Sequence, residues 1–161
     1  MNPCFCGFAG HPQHMCSCTP AQVDRYRRKV SGPLLDRIDI HVEVPAVPYK
    51  DLSNEHCGES SKIIRARIQN ARKMQVARFI KDSIYSNSKM RSKHIRKYCG
   101  LNNDAQNIIE AAMHKLGLSA RAYTRILKVS RTIADLAESE HIHAEHISEA
   151  IQYRSLDRRV S

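Results

Sequence analysis

Apolar and polar residues alternate strictly over residues 38–44, where Ile38, Ile40, Val42 and Val44 are separated by Asp39, His41 and Glu43. That period of two predicts a half-buried strand. From residue 60 onward the spacing changes to the three-to-four rhythm of amphipathic helices. Ser60 is placed to cap a long helix reaching about residue 80, with Ile64, Ile68, Ala71 and Met74 near one face. The polar residues 81–89 predict a loop, and a short helix follows over about 92–99, ending at Gly100. Asn103 with Gln106 three positions on resembles a capping box. The helix it opens would turn Ile108, Ile109, Ala112, Met113 and Leu116 inward and stop at Gly117. Ser119 can cap the next helix, whose apolar set is Tyr123, Ile126, Leu127, Ile133, Ala134 and Leu136. A last helix is predicted over about 144–153.

The first 18 residues are too rich in Cys, Gly and Pro for a regular helix. Thr19-Pro20 then provides an N-cap followed by a proline suited to a first helical position. This helix runs to about Val30, where Gly32-Pro33 ends it. Pro45 and Pro48 stop the strand and open a linker. The predicted organisation is a small α/β unit over 1–47, a linker over 48–59 and a helical domain over 60–158. There is no internal repeat and no low-complexity tract.

Composition narrows what such a chain can do. Of its 161 residues 42% are hydrophobic but only 6% aromatic, with no Trp, so the core must be mostly aliphatic. Lys and Arg number 26 against 16 acids, a formal charge of +10, which favours nucleic acid or nucleotide phosphates as partners. Arg25, Arg27, Arg28 and Lys29, just after the Cys-rich segment, suit phosphate contact. The apolar runs are too short to span a bilayer, and the N-terminus lacks the apolar region of a signal peptide. The expectation is a cytoplasmic protein without a membrane partner. There, six cysteines read as thiols or metal ligands rather than disulfides.

Cys4-Phe5-Cys6 and Cys16-Ser17-Cys18 form two C-x-C pairs separated by nine residues. Two thiolate pairs brought together by a turn can supply the four soft ligands of tetrahedral Zn²⁺. Gly7, Gly10 and Pro12 would let the chain fold back, and His11 and His14 are spare candidate ligands. The alternative is a set of reduced, unligated thiols in a loop. Cys57 and Cys99 stand alone and read as ordinary residues. His141, His143 and His146 cluster with Glu140 and Glu145, but no His-Glu-x-x-His order occurs and they read as surface residues. No Gly-x-Ser-x-Gly occurs either.

Several short motifs fall in a telling order: Asn2-Pro3 at the start, Ser31-Gly32-Pro33-Leu34-Leu35-Asp36-Arg37-Ile38-Asp39, Gly58-Glu59-Ser60-Ser61, the stretch 117–136 and the stretch 149–158. In this combination nearly the whole chain resembles the C-terminal portion of magnesium-chelatase-like AAA+ ATPases, within them the ComM/YifB group. The resemblance implies a mainly α fold: a four- to five-helix AAA+ lid bundle, preceded by a partial α/β remnant of the AAA+ core carrying the Cys-rich insertion. It implies that Asn2 is the sensor 1 residue, Arg37 the arginine finger that reaches a neighbouring subunit's ATP, and Arg121 the sensor 2 residue of the lid. Arg125, one turn deeper, is a rival to Arg121. A delocalised, permanently charged guanidinium suits the spread charge of phosphoryl transfer. The resemblance further implies a homo-hexameric, ATP- and Mg²⁺-dependent DNA motor, linked to branch migration during natural transformation.

The phosphate-binding chemistry itself is missing from these 161 residues. None of the six Gly is followed by Lys, so there is no P-loop, and no Asp is followed by Glu to organise Mg²⁺. Both motifs precede sensor 1 in the AAA+ order. The expectation is that the ATP-binding half lies upstream and that this chain alone does not hydrolyse ATP. Two other readings remain open. One is a free-standing, zinc-stabilised basic helical module that binds nucleic acid without a motor. The other is a subunit of a true magnesium chelatase, which fits the Cys quartet and basic charge less well.

Overall fold

Seven α-helices and one 3₁₀ turn, with no strand, make up residues 2–45, 47 and 58–154, the part of the chain that this computed structural model describes. The first helix, α1 (Pro20–Arg27), starts as its sequence dictates: Thr19 Oγ1 accepts from the Gln22 amide at 3.3 Å and Gln22 Oε1 from the Thr19 amide at 2.9 Å. This reciprocal pair is a capping box, with Pro20 in the first turn. The Gly32-Pro33 pair that was expected to end a helix instead begins one, α2 (Gly32–Leu35), because proline's fixed φ is already helical and its missing N–H is not needed there.

The strand expected over 38–44 does not form. No strand pairs with these residues in the described structure, and Ile38, Ile40, Val42 and Val44 are 41–80% exposed. An alternating pattern needs a neighbouring strand to satisfy its backbone groups. Here one tie runs to the helical domain instead, from the His41 N–H to the Tyr153 carbonyl at 2.7 Å. The 48–59 linker lies outside the described residues except for residues 58 and 59, as do Cys57 and the end of the 149–158 motif.

The helical domain comprises α3 (Ser61–Arg78), the 3₁₀ turn Asn87–Lys89, α4 (Ser92–Tyr98), α5 (Asn103–Leu116), α6 (Ala120–Leu136) and α7 (Ala144–Gln152). Helix α6 is central: α3, α4, the 3₁₀ turn and α7 all pack on it, and α7 also packs on α5. Ile109 of α5, Ile126, Leu127 and Ala134 of α6, and Ile147, Ala150 and Ile151 of α7 meet in one buried cluster with Phe79. Each such Ile or Leu withdrawn from water stabilises the bundle by about 1.5–3 kcal/mol. A single parallel bridge, Leu101 to Ile142, ties the entries to α5 and α7.

Several local expectations hold, and others are corrected. Ser119 caps α6, accepting from the Ala122 amide at 3.1 Å, and Gly117 ends α5 at φ 59°, a left-handed turn that glycine adopts freely. The cap of α5 is Asn102, not Asn103: its Oδ1 accepts from the Ala105 amide at 3.0 Å, leaving Asn103 as the first helical residue. Ser60 occupies the N-cap position of α3 but its side chain makes no capping bond. The first ten residues of α3 are exposed, Ile64 and Ile68 included, and only Ala71 and Gln75 of this helix are buried, because α3 meets the bundle through its second half. Tyr123 likewise faces outward. His146 is not a surface residue. It is buried with its Nδ1 accepting from the His143 amide at 3.0 Å, so the imidazole caps the start of α7. Cys99 is an ordinary core residue, its thiol pushed up to about 11 by burial.

Candidate functional site

The chain folds back between the two C-x-C pairs and brings all four sulfurs, of Cys4, Cys6, Cys16 and Cys18, within 4.8 Å of one another. Gly7, at φ 85°, makes the turn that an L side chain would strain. Cys4 Sγ lies 3.3 Å from Cys6 Sγ and 3.6 Å from Cys16 Sγ, and Cys6 Sγ lies 3.5 Å from Cys16 Sγ. A tetrahedron with Zn–S bonds near 2.3 Å has S···S edges of about 3.8 Å, so these sulfurs stand close to the spacing zinc requires. Among the groups around them, a backbone hydrogen bond at Phe8 contributes most to pulling the Cys6 thiol down to about 5. At Cys16 a backbone hydrogen bond at Cys18 also pulls down, but desolvation and the neighbouring sulfurs outweigh it and the thiol is pushed up to about 12. Four sulfurs this close cannot all be thiolates without a cation between them. The two histidines stand apart from the quartet. His11 Nδ1 accepts from the amides of Gln13 and His14, both at 3.1 Å, and the rings of His11 and His14 pack against Phe8.

Helix α1 follows directly. Arg25, Arg27, Arg28 and Lys29 are all exposed. Lys29 Nζ sits 4.9 Å from the centre of the Phe5 ring and 5.7 Å from that of Tyr26, and these two rings meet edge-on at 4.8 Å. The knuckle and α1 are thus one small unit.

A second assembly joins the loop after α2 to the first turn of α6, and Asp36 is its hub. Its Oδ1 accepts from Ser119 Oγ at 2.9 Å and lies 3.6 Å from Arg154 Nη2, while its Oδ2 lies 3.6 Å from Arg121 Nη1. Beside it Arg125 pairs with Asp39, and Arg154 Nη1 donates to the Ile38 carbonyl at 2.5 Å. Both acids flanking Arg37 are therefore engaged by arginines of the helical domain, and Arg37 itself is exposed and forms no ion pair among the described residues. Arg121 keeps 54% of its side chain exposed and Arg125 only 23%. A cleft of about 190 Å³ opens at this junction, lined by Gly32, Leu35, Asp36, Leu116, Ser119 and Ala122 among others. It is smaller than the ~300–1,000 Å³ of a small-molecule pocket, so this junction by itself does not enclose a nucleotide.

Of the residues singled out in the sequence, the structure gathers the four cysteines, sets the basic α1 beside them, and pairs Arg121 with Asp36 while leaving the adjacent Arg37 exposed. Asn2 is exposed near Gly7, and among the described residues no hydrogen bond joins it to either arginine. Asp36, Asp39, Ser119 as an Asp36 donor and the buried Arg154 were not singled out. Their signal was faint: Asp36 and Asp39 merely flank Arg37, and Arg154 comes at the end of the last helix.

A helical domain built on α6 with a sulfur knuckle and an arginine-rich junction before it defines a lid-type domain, and the sequence relationships agree. Residues 58–154 match the family described as magnesium chelatase, subunit ChlI C-terminal, and residues 1–52 match magnesium chelatase, subunit ChlI. The chain belongs to this magnesium chelatase ChlI family. It is 44% identical over 141 residues to competence protein ComM of Haemophilus influenzae, covering 87% of this chain and 27% of that protein. It is 41% identical to YifB of Salmonella typhimurium and 42% identical to YifB of Escherichia coli, each over 142 residues, 88% of this chain and 27% of the relative. The chain thus spans about a quarter of the length of these relatives. No helix among the described residues is long and apolar enough to cross a membrane.

Proposed function

We propose that this chain is the nucleotide-sensing and lid portion of an ATP-driven, homo-hexameric DNA motor that acts in the cytoplasm on recombining DNA. The observation that carries this reading is the Asp36 junction, where Arg121 of the helical domain reaches the carboxylate of the residue next to an exposed Arg37. Arg37 is presented outward, as a group serving a neighbouring subunit's ATP must be. Arg121 lies in the first turn of α6, where the positive end of the helix dipole adds to its own charge. Asn2 would complete the set as sensor 1. The P-loop lysine and the Mg²⁺ that such chemistry needs would come from elsewhere in the whole protein. In that protein Arg37→Ala should lower steady-state ATPase activity by about 10³-fold or more, the range an arginine finger supplies. Mixing Arg37→Ala and parent subunits should poison the parent's activity, since the finger acts across an interface. Unchanged turnover in both experiments would sink the assignment.

The four cysteines would hold Zn²⁺ in this reading, as a structural site with no open position. Zinc there would fold the knuckle rather than take part in hydrolysis. Arg25, Arg27, Arg28 and Lys29 would contact DNA phosphates, so affinity for an oligonucleotide should fall steeply with salt and fall further when Arg25 and Arg28 are replaced by Ala.

A further inference from the structure

The chain contains three Phe. Phe79 is 1% exposed in the helical core, whereas Phe5 and Phe8 are 52% and 40% exposed, both in the cysteine knuckle. Met15, between the two C-x-C pairs, is 97% exposed. Such apolar area on a small unit loses stability in water and needs a reason to be there. The surroundings are not apolar but cationic: Lys29 lies over the Phe5 ring, and Arg25, Arg27 and Arg28 are exposed on the helix that Phe5 contacts through Tyr26. Phe8 is braced edge-on by His11 at 5.7 Å and by the tilted ring of His14 at 5.0 Å, which fixes its orientation.

Flat rings set among cations match one ligand chemistry closely. An unpaired nucleobase has a free π-face to lay on a ring, and its phosphates seek Lys and Arg. A base inside a duplex has both faces covered by its neighbours and must first be unstacked. We infer that the knuckle and α1 form a stacking surface for single-stranded DNA, with Phe8 and Phe5 taking bases and Arg25, Arg28 and Lys29 holding the phosphates between them. This rests on the DNA-contact reading above and adds to it a strand preference that charge alone does not give.

The absence of Trp supplies a clean test. The full chain, purified without chelator, is titrated with a single-stranded oligodeoxynucleotide carrying 2-aminopurine, with its duplex form, and with vesicles containing anionic lipid. The expected result is binding to the single strand with quenched 2-aminopurine emission and weaker binding to the duplex. Phe8→Leu should bind about tenfold or more weaker and lose most of the quenching, with the salt dependence of its residual binding unchanged. Phe8→Trp should retain affinity, and its own indole emission should change on adding unlabelled strand. That second variant gives a readout even if Phe8→Leu loses its fold. Salt-sensitive binding that is indifferent to Phe8→Leu, with no change in Trp emission, would overturn the stacking surface and leave phosphate contact standing. No binding to any oligonucleotide would overturn both. Vesicle binding that depends on Phe8, without 2-aminopurine quenching, would assign the surface to a membrane instead.

Discussion

Arg78, at the last turn of α3, pairs with the fully buried carboxylate of Asp135 in α6 through both of its terminal nitrogens. The same carboxylate accepts from Asn87 Nδ2 at 2.8 Å and from Arg131 Nε at 3.1 Å. Arg131 in turn donates to the carbonyls of Glu140 and Ser139. One acid thus joins α3, the 3₁₀ turn, α6 and the loop after it.

Removing Asp135 should therefore cost far more than any exposed pair in this chain. Asp135→Ala would leave Arg131 as a buried cation and Asn87 as a buried amide, each without its carboxylate. Breaking a buried, hydrogen-bonded ion pair from one side typically destabilises by about 3–5 kcal/mol. Chemical denaturation should show a loss of that size. Arg67→Ala, whose pair with Glu59 is about half exposed, should cost at most about 1 kcal/mol. Equal effects from the two variants would contradict this account of the core.

The Asp36 hub should hold the segment after α2 on the helical domain. Asp36→Ala removes the acceptor for Ser119 and the partner of Arg121 and Arg154 at once. Arg154 is almost wholly buried, so its lost partner matters more than that of half-exposed Arg121. Hydrogen exchange should report the change at the His41 amide, bonded to Tyr153, which should exchange at least tenfold faster while the amides of α6 keep their protection. An unchanged His41 amide would show that Asp36 is not what holds this segment.

The helices were legible because each carries its own signal. Thr19, Ser119 and Gly117 act within a few residues of themselves, and the structure finds all three in their expected roles. The cysteine quartet was legible for a similar reason, since nine residues with two glycines form a loop short enough to close. What failed depends on distant chain. The alternation over 38–44 is that of a strand, but a strand needs another strand, and among the described residues there is none. Ile64 and Ile68 have helical spacing but no neighbour among the described residues covers them. Asp36 and Asp135 were invisible because their partners stand 83 and 57 residues away, at Ser119 and Arg78. His146 misled because a histidine that caps its own helix by its ring nitrogen looks, in sequence, like any polar residue near a helix start.

His146 makes the stability of the helical domain depend on pH. Burial lowers its pKa below the ordinary 6.5 and outweighs the opposing pull of the exposed Glu145. The unfolded chain therefore binds this proton more readily than the folded one, and acidification through about pH 6.5 favours unfolding. Protonation also abolishes the Nδ1 acceptor that receives the His143 amide. The melting temperature should fall between about pH 7.5 and pH 5.5, and His146→Gln should lose less over the same interval, from a lower starting point. Parallel pH profiles for the two proteins would exclude His146 as the source.

Metal removal should act on the knuckle and spare the helical core. The hydrogen bonds and ion pairs that join residues 2–45 to the helical domain begin at Asp36, well past the cysteines, and the core around Ile126 and Ile147 is closed without them. A chelator should therefore expose Cys4, Cys6, Cys16 and Cys18 to a thiol reagent while leaving the thermal transition of the helices in place. Cys99, buried in that core, should stay protected until the helices melt. Cys4→Ser, which removes the buried sulfur of the quartet, should lower zinc content and leave the same transition unchanged. Four thiols already reactive before chelation, in protein that elemental analysis shows to be free of zinc, would mean that these sulfurs converge without holding a metal. A helical transition that moves with the metal would instead mean that the knuckle is part of the same cooperative unit as the lid.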